Sequence, residues 1–352
     1  MIKLLTLLVL VMAVVTIWRI IRVLELVRDL RGDEEAITDK DNRTNGKLSL
    51  WFIVLGFAGM IYFTLDAKKY LLPVAASKHG ALTDSFLNMN FALIIVVFFI
   101  TQFLLFYYAW KYKHKKGKKA YFYPDNHKLE FIWTVIPAVV LMGLIVYGLK
   151  LWINITAPAP AEAMVIEVYG KQFDWSVRYS GADNKLGHSN FKLITDDNPL
   201  GVDAKDASSE DDKTARELHI PVGSIINFKF HSRDVIHSAY FPHLRAQMNC
   251  VPGMTTEFTL EPTITTDSMR LITGNPKFDY VLLCNKICGV AHYNMKLKLV
   301  IESADDFKKW YKEQSYVFAK PQAAPVVEPA GMSDTAKVAK TESEPAKVVA
   351  AR

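Results

Sequence analysis

The sequence predicts a membrane-anchored protein in which α-helical transmembrane hairpins precede an all-β sandwich domain. Three runs contain no Asp, Glu, Lys or Arg, at residues 48–65, 85–110 and 131–149. Runs of this length match the roughly 20 apolar residues with which a helix crosses the hydrocarbon core of a bilayer. After about residue 155 the chain is polar, and its apolar residues fall at alternate positions, as in half-buried strands.

The membrane part is expected to form two hairpins, an extra amino-terminal one over residues 1–80 and a second one over residues 81–155. A fourth apolar run, residues 4–18, is shorter than the other three. It could be a signal peptide, but no small-residue cleavage site follows it. We therefore expect an uncleaved helix that continues along the membrane surface through Arg22 and Arg28, with cleavage or a shallow anchor as the alternatives.

Charged loops predict the orientation. Residues 111–119 carry six lysines and no acid, between the apolar runs at residues 85–110 and 131–149. Residues 19–47 carry seven Lys or Arg, although seven acids accompany them. Loops rich in Lys and Arg stay on the cytoplasmic side of a membrane. The β domain and the amino terminus are therefore expected outside the cytoplasm; the alternative is that the basic loop is a solvated linker without topological meaning.

The β domain is expected over residues 156–305. Two stretches have apolar residues at alternate positions: Ile226, Phe228 and Phe230 in one, and Met295, Leu297, Leu299 and Ile301 in the other. This period of two indicates half-buried antiparallel strands.

Two further segments do not fit a compact sandwich. Residues 181–215 are expected to form a surface insertion that holds the acids Asp206, Glu210, Asp211 and Asp212. Residues 306–352 should begin as a helix-like segment. From residue 320 they become a tail rich in Ala, Pro, Lys and Glu, which we expect to be disordered.

Cysteine usage points to a metal. The three cysteines are Cys250, Cys284 and Cys288, and an odd, small number does not make a disulfide framework. In an oxidising compartment the close pair would form a disulfide unless a bound metal held it reduced. The sequence contains no C-x-x-C-H, so this chain attaches no c-type haem of its own.

The metal is expected to be copper. The potential ligands Cys284, Cys288, His292 and Met295 follow one another at intervals of four, four and three residues. Thiolate, imidazole and thioether ligands together suit copper, and two thiolates allow two metals to share them as bridges. His237, at the end of an upstream strand, is the expected additional ligand because the loop lacks a second imidazole.

Other interpretations stay open for these residues. A structural zinc site would use two Cys and two His but leave Met295 idle. His237 alone could be a core histidine. His219, His231 and His243 are expected to be structural, and Cys250 to be a small buried apolar residue.

With these residues the chain resembles subunit II of the haem–copper cytochrome c oxidases, over residues 85–305. The resemblance rests on Glu130-Phe-Ile-Trp133-Thr-Val-Ile-Pro137, Gly170-Lys-Gln172-Phe173-Asp174-Trp175, Asp234-Val-Ile-His237-Ser, Val251-Pro-Gly253 and the loop Cys284–Met295. It implies a cupredoxin-like sandwich in a bacterial oxidase of the aa3 or caa3-like type, without a fused cytochrome c domain. The protein would be multi-pass in the bacterial inner membrane, with the copper domain on the periplasmic side.

The resemblance also implies roles. Cys284 and Cys288 would bridge two coppers, with His237 and Met295 completing one, and His292 and the backbone carbonyl of Lys286 the other. This CuA centre would pass electrons to haem a of subunit I, where oxygen is reduced and protons are pumped.

Three more residues have roles in the family. Phe173 and Trp175 stand where the family takes in electrons. Glu130 stands at the mouth of the K proton channel, although an acid in the first turn of a helix is also an ordinary stabilising charge.

Two departures from the family pattern affect the expectations. Lys286 and Asn249 stand where the family has acids beside a magnesium ion, so magnesium at the subunit I interface is doubtful and the Lys286 ammonium is expected in its position. Phe173 replaces the family's exposed Trp, and the following stretch mixes Asp183 with Arg178 and Lys185. The electron donor is therefore expected to be a membrane-held or complex-bound cytochrome c.

The implied partners are oxidase subunits I and III, the lipid bilayer and a respiratory supercomplex; no nucleic acid is expected, and the haems belong to partner subunits. A quinol oxidase subunit would lack the copper ligands. A membrane-bound copper chaperone or storage protein would need exposed, exchangeable thiols. Another CuA electron carrier would not need the Glu130 motif after a membrane hairpin.

Overall fold

The computed structural model describes residues 2–30, 38–115 and 117–318. Four long helices come first: α1 (Ile2–Leu30), α2 (Asp39–Ala67), α3 (Lys78–Lys111) and α4 (His127–Ile155). Among the described residues, three helical spans are long and apolar enough to cross a membrane: Asp39–Tyr70, Lys78–Lys111 and His127–Ile155. They contain the three uncharged runs, so the predicted transmembrane helices are confirmed as helices. The fourth run lies within α1.

Aromatic side chains connect neighbouring membrane helices. Phe57 of α2 meets Phe99 of α3 edge-on, with ring centroids 4.5 Å apart. Phe86 of α3 lies 5.4 Å from Tyr147 of α4. α2 begins at a capping box, in which Thr38 and Asp41 satisfy each other's backbone N–H groups.

The remainder forms the predicted β-sandwich. Its strands are β1 (Met164–Lys171), β2 (Asp174–Tyr179), β3 (Lys213–Ala215), β4 (Leu218–Pro221), β5 (Ile226–Ser232), β6 (His237–Phe241), β7 (Ala246–Cys250), β8 (Thr256–Leu260), β9 (Tyr280–Cys284), β10 (Lys296–Glu302) and β11 (Ser315–Tyr316). One sheet has the order β11-β3-β2-β1-β5-β8 and the other β4-β10-β9-β6-β7. Two helices complete the domain: α5 (Thr266–Thr273) and α6 (Ala304–Lys312).

The alternating pattern has the predicted consequence for burial. Phe228 and Phe230 of β5 are at most 1% exposed, and Phe228 stacks on Phe241 of the other sheet at 5.3 Å. The expectation of antiparallel strands holds for one neighbour of each strand and is wrong for the other. β5 is antiparallel to β8 but parallel to β1, and β10 is antiparallel to β9 but parallel to β4. Alternation of apolar residues indicates that one face of a strand is buried, but it carries no information about strand direction.

The segment between β2 and β3 is less superficial than expected. Asp212 is fully buried and binds Arg178, which is itself 1% exposed, with Oδ2 and Nη1 2.9 Å apart. The last three residues of the predicted insertion, Lys213–Ala215, form β3 and pair with β2. The expected carboxy-terminal helix is α6, whereas the predicted disordered tail lies outside the described residues.

The start of α3 is tied to the β domain. The N–H of Ala76 donates to the carbonyl of His243 at 2.7 Å, and the N–H of Thr263 donates to the carbonyl of Ala76 at 2.9 Å. Arg245 binds Asp84 of α3 through both Nε and Nη2, each at 2.8 Å. These contacts fix the height of the sandwich above the first turns of a membrane helix.

Candidate metal centre

Strand pairing brings the predicted ligands together. β6 begins at His237 and β9 ends at Cys284, and these strands are antiparallel neighbours with Ala239 opposite Cys284. The other ligands follow on the loop between β9 and β10, which folds back so that the N–H of Cys284 donates to the carbonyl of Met295. The sheet therefore positions one imidazole beside a loop that holds both thiols.

The ligand atoms form one compact cluster. The two sulfur atoms of Cys284 and Cys288 are 3.9 Å apart. His237 Nδ1 lies 3.8 Å from the Cys284 sulfur, and His292 Nδ1 lies 3.6 Å from that of Cys288. The Met295 sulfur is 3.8 Å from Cys288. With metal–sulfur bonds of about 2.3 Å, an ion fits between the two thiols without rearrangement.

The backbone supplies a further donor. The carbonyl oxygen of Lys286 lies 3.2 Å from the Cys284 sulfur, while the Lys286 side chain is exposed. A change of side chain at position 286 therefore leaves the carbonyl available to a metal.

Most of the cluster is shielded from water, and His292 is its one half-buried member. His237 is fully buried, Met295 is 1% exposed, and Cys284 and Cys288 are 9% and 6% exposed. Burial, together with the neighbouring Cys284, raises the pKa of the Cys288 thiol to about 11. A buried thiolate needs a cation beside it, so the donor set fits a bound soft metal ion.

Asp234 holds the buried imidazole in place, a role that the sequence did not predict. Its Oδ1 lies 2.8 Å from His237 Nε2, so the Nε2–H donates to the carboxylate and Nδ1 faces the thiols. Burial alone would raise the pKa of Asp234, but hydrogen bonds from the N–H of Gln172, the His237 ring and the N–H of Val235 lower it. The available signal was an acid three residues before a ligating histidine.

Gln172 links this carboxylate to the cysteine loop. Its backbone N–H donates to Asp234 Oδ2 at 2.7 Å, and its side-chain amide donates to the carbonyl of Cys288. The next residue, Phe173, packs so closely that a Cβ on Gly289 would lie 2.8 Å from its ring. The β1–β2 turn therefore clamps the loop that carries the thiols.

The predicted electron-uptake residues lie beside the cluster. Phe173 is half-buried, whereas Trp175 is 3% exposed and meets His237 edge-on at 6.0 Å. Arg178, which was expected among the surface charges here, is buried with Glu167 and Asp212. The surface near Phe173 therefore has fewer bases than the sequence suggested.

The remaining predicted residues lie apart from the cluster. Glu130 is in the first turn of α4, where its Oε2 lies 3.2 Å from His127 Nδ1. The 29 residues of α4 span about 40 Å, which separates this turn from the β domain. Asn249 is exposed on β7 opposite Ser238.

The residues expected to be structural have other partners. His219 stacks on Trp310 at 3.9 Å and binds Glu302, His231 faces Glu167, and His243 meets Tyr280 edge-on. Cys250 is fully buried, and burial raises the pKa of its thiol to about 12, so it remains protonated.

The fold and the site define a membrane-anchored, cupredoxin-like protein with one buried cluster of soft metal ligands in its described residues. The chain matches the family described as cytochrome c oxidase subunit II, by its transmembrane domain over residues 66–151 and its periplasmic domain over residues 164–304. The chain belongs to this family.

Two relatives by sequence agree with this assignment. The alternative cytochrome c oxidase subunit 2 of Bradyrhizobium diazoefficiens is 33% identical over 73% of this chain and 88% of the relative. The cytochrome c oxidase subunit 2 of Thermostichus vulcanus is 22% identical over 78% of this chain and 88% of the relative. The crystal structure of the periplasmic domain of oxidase subunit II of Bradyrhizobium japonicum is 21% identical, with a TM-score of 0.31, covering 46% of this chain and all of that one.

Proposed function

We propose that this chain is the subunit through which electrons reach a proton-pumping haem–copper terminal oxidase. It takes electrons from a cytochrome c at a dinuclear copper centre and passes them to haem a of subunit I, where oxygen is reduced to water. Family membership supports the oxidase assignment. The observation that carries the copper assignment is the convergence of two thiols, two imidazoles and a thioether in one compact cluster.

The chain's own residues hold the ligands in a fixed arrangement. Cys284 and Cys288 would bridge the two coppers, with His237, Met295, His292 and the Lys286 carbonyl as the terminal ligands. Two coppers bound there would share one electron, and Asp234 keeps His237 in the required orientation. Because the sheet and the loop between β9 and β10 hold these side chains in place, little rearrangement would accompany each electron transfer.

Metal content tests the proposal. The full chain, purified in detergent and loaded with copper, should hold two coppers and give the electron paramagnetic resonance spectrum of a mixed-valence pair. A Cys284→Ser variant should lose this spectrum, while Cys250→Ala should keep it. One zinc per chain, or one copper with an ordinary mononuclear spectrum, would contradict the dinuclear centre.

A membrane-bound copper chaperone is the second candidate, because it would use the same soft ligands. Such a protein needs thiols that a partner can reach, and both thiols here are less than 10% exposed. Copper in an electron-transfer centre should exchange slowly with a soluble Cu(I) chelator. Release within seconds would favour the chaperone.

The proposed setting is a bacterial cell membrane, with the copper domain on its outer side and the amino terminus outside. Oxidase subunits I and III are the proposed neighbours, in a respiratory supercomplex. The extra hairpin over residues 1–80 would pack on neighbouring subunits or serve as a further anchor. Residues 81–155 would form the subunit II hairpin, and residues 156–305 the CuA domain.

Electron uptake is proposed at Phe173, with the buried Trp175 behind it against His237. The exposed residues of the adjoining turns do not form a dense acidic patch. We therefore propose a membrane-held or complex-bound cytochrome c as the donor, since it needs no strong electrostatic attraction from solution.

Two further assignments concern the interface with subunit I. Glu130 is proposed at the mouth of the K proton channel, and a Glu130→Gln oxidase should lose turnover without losing copper. The Lys286 ammonium is proposed in place of magnesium; a hydrated divalent cation touching residue 286 in the assembled oxidase would refute this.

A further inference from the structure

The loop between α3 and α4 combines a strong positive charge with exposed aromatic rings. We call residues 111–126 the basic loop. It contains six lysines and a single acid, Asp125. It follows directly on a helix that is long and apolar enough to cross a membrane, and it precedes another. Both of its ends therefore lie where a membrane helix meets the bilayer surface.

Four aromatic residues of the basic loop are unusually accessible. Tyr112 is 71% exposed, Tyr121 is 87%, Phe122 is 85% and Tyr123 is 61%. Aromatic rings in contact with water on this scale are unfavourable, because each leaves a large apolar area unburied. The headgroup region of a bilayer accommodates such rings, and aromatic residues are enriched there.

The five lysines of the basic loop that the structure describes fall into two groups. Lys111 and Lys113 lie over aromatic rings at the end of α3, with the Lys113 Nζ 5.1 Å from the Trp110 ring. Lys115, Lys118 and Lys119 are exposed beyond the helix. A turn in which the N–H of Lys118 donates to the carbonyl of Lys115 concentrates these three charges within five residues.

We propose that the basic loop is a binding site for anionic phospholipid headgroups. The ammonium groups would contact the phosphates, and the rings of Tyr121 and Phe122 would insert beside the glycerol backbones. A juxtamembrane cluster of four to eight Lys or Arg is the arrangement by which proteins select acidic lipids. A neutral bilayer surface would account for the rings but leave the lysines without counter-charges.

This inference does not depend on the copper centre and is tested without it. The full chain is reconstituted in phosphatidylethanolamine vesicles, and spin-labelled phosphatidylglycerol and phosphatidylethanolamine report which lipid is held at the protein surface. We expect phosphatidylglycerol to be preferred roughly threefold at low salt. The preference should approach unity near 0.5 M salt, where the Debye length is only about 4 Å.

Variants separate this loop from the rest of the surface. Replacing Lys115, Lys118 and Lys119 by Gln should reduce the preference to about unity. Replacing three exposed lysines of the β domain, Lys185, Lys205 and Lys277, removes the same charge and should leave the preference unchanged. A Tyr121→Ser, Phe122→Ser variant should hold both labelled lipids less strongly while leaving the salt-dependent preference between them in place.

Three outcomes would overturn the proposal. The first is an equal affinity of the unmodified chain for both labelled lipids. The second is a preference that survives the three substitutions in the loop. The third is loss of a neighbouring subunit from the purified oxidase on these substitutions with no change in lipid preference, which would mean that the loop binds protein instead.

Discussion

At the residue scale, the contacts of each histidine and cysteine distinguish the metal ligands from the structural residues. One ring nitrogen of His237 contacts the Asp234 carboxylate and the other contacts the Cys284 thiol. His219 instead contacts the Glu302 carboxylate and stacks on the Trp310 indole. Cys284 and Cys288 face each other, while Cys250 lies among apolar core residues. Residue type and spacing predicted that these side chains would converge, because four of the five proposed ligands lie on one short loop.

Replacement of Asp234 should loosen copper binding. Asp234→Ala removes the acceptor for His237 Nε2–H, and we expect copper affinity to fall by about 10–100-fold. Asp234→Asn should have a smaller effect, since its amide oxygen still accepts that hydrogen bond. Competition with a Cu(I) chelator measures the affinity of the full chain. Asp305→Ala, at an exposed acid of α6, is the control; equal copper retention in both alanine variants would mean that Asp234 does not position the imidazole.

Cys250 should be dispensable for metal binding. Cys250→Ala leaves the copper ligands intact, so copper content should stay unchanged while the free energy of unfolding falls by about 1 kcal/mol. Cys284→Ser removes a bridging sulfur and should abolish the dinuclear spectrum. Metal analysis and thermal unfolding of the two variants distinguish these effects. Copper loss in Cys250→Ala would assign that thiol to the site.

At the element scale, the sequence predicted which residues are buried better than it predicted which strands pair. Alternation at Phe228 and Phe230 identified the inner face of β5, because burial follows the local period. The parallel pairing of β5 with β1 depends on the path of the whole chain. For the same reason the contacts of Gln172 with Asp234 and with the cysteine loop were not predicted: three separate segments have to meet to form them.

The clamp between the β1–β2 turn and the cysteine loop requires glycine at position 289. Gly289 has φ +143°, and a Cβ there would lie 2.8 Å from the Phe173 ring. Gly289→Ala should destabilise the domain by about 1–3 kcal/mol, through backbone strain and this clash, and should reduce copper retention. Phe173→Ala in the same chain should restore the part of the lost stability that is due to the clash with the Phe173 ring.

Gly223 provides the matched control for this substitution. It has φ +76°, and a Cβ there would meet nothing within 4 Å. Gly223→Ala should therefore show the backbone strain alone, without copper loss and without rescue by Phe173→Ala. Additive effects of Gly289→Ala and Phe173→Ala on thermal unfolding would contradict the clamp.

The buried ion cluster that ties the β2–β3 segment to the sheet has one carboxylate in excess. Arg178 contacts both Glu167 and Asp212, and His231 approaches Glu167 from β5 with burial lowering its pKa. Burial raises the pKa of Asp212 from its usual 3.8 to about 7, against the opposing effect of Arg178, and the nearby Asp211 adds to the rise. One Asp212 oxygen also lacks a hydrogen-bond partner.

This cluster should make the sandwich less stable as pH rises. The folded state retains the Asp212 proton above the pH at which the unfolded chain releases it. The stabilisation is therefore complete below about pH 4 and is lost as pH rises through 7, with a slope of at most about 1.4 kcal/mol per pH unit. Asp212→Asn, which mimics the protonated acid, should flatten the profile of unfolding temperature between pH 5 and 8. An unchanged slope in this variant would assign the pH dependence to other groups.

At the scale of the whole molecule, the sandwich is fixed over the start of α3 by the Arg245–Asp84 ion pair and the backbone bonds at Ala76. The ligand cluster lies at the β6, β9 and β10 side of the sandwich, with Phe173 half-buried beside it. Charges around Phe173 would therefore affect how a donor approaches this proposed uptake residue. Lys171 and Arg233 lie close by, since the N–H of Arg233 donates to the carbonyl of Gly170.

Electron delivery by a free basic cytochrome c should depend only weakly on salt. Electrostatic steering raises association rates by about 10–1,000-fold and falls steeply with ionic strength, but it requires a donor surface and an acceptor surface of opposite sign. Here the bases Lys171 and Arg233 are offset by the nearby acids Asp174 and Asp234. Turnover should therefore change by less than about threefold between low and physiological ionic strength. Steady-state oxygen consumption of the purified oxidase measures this.

Reversing the local charges should create the salt dependence that the natural surface lacks. Lys171→Glu with Arg233→Glu surrounds Phe173 with acids, and the rate with basic cytochrome c should rise at low salt and fall steeply as salt is added. Lys205→Glu with Lys277→Glu changes the net charge equally at positions remote in sequence from the cysteine loop and the β1–β2 turn. If the control pair makes turnover as salt-dependent as the pair beside Phe173 does, the net charge of the domain governs the association with the donor. If the unmodified oxidase already shows a steep salt dependence, the donor docks by ordinary electrostatics from solution, and a membrane-held cytochrome is not needed.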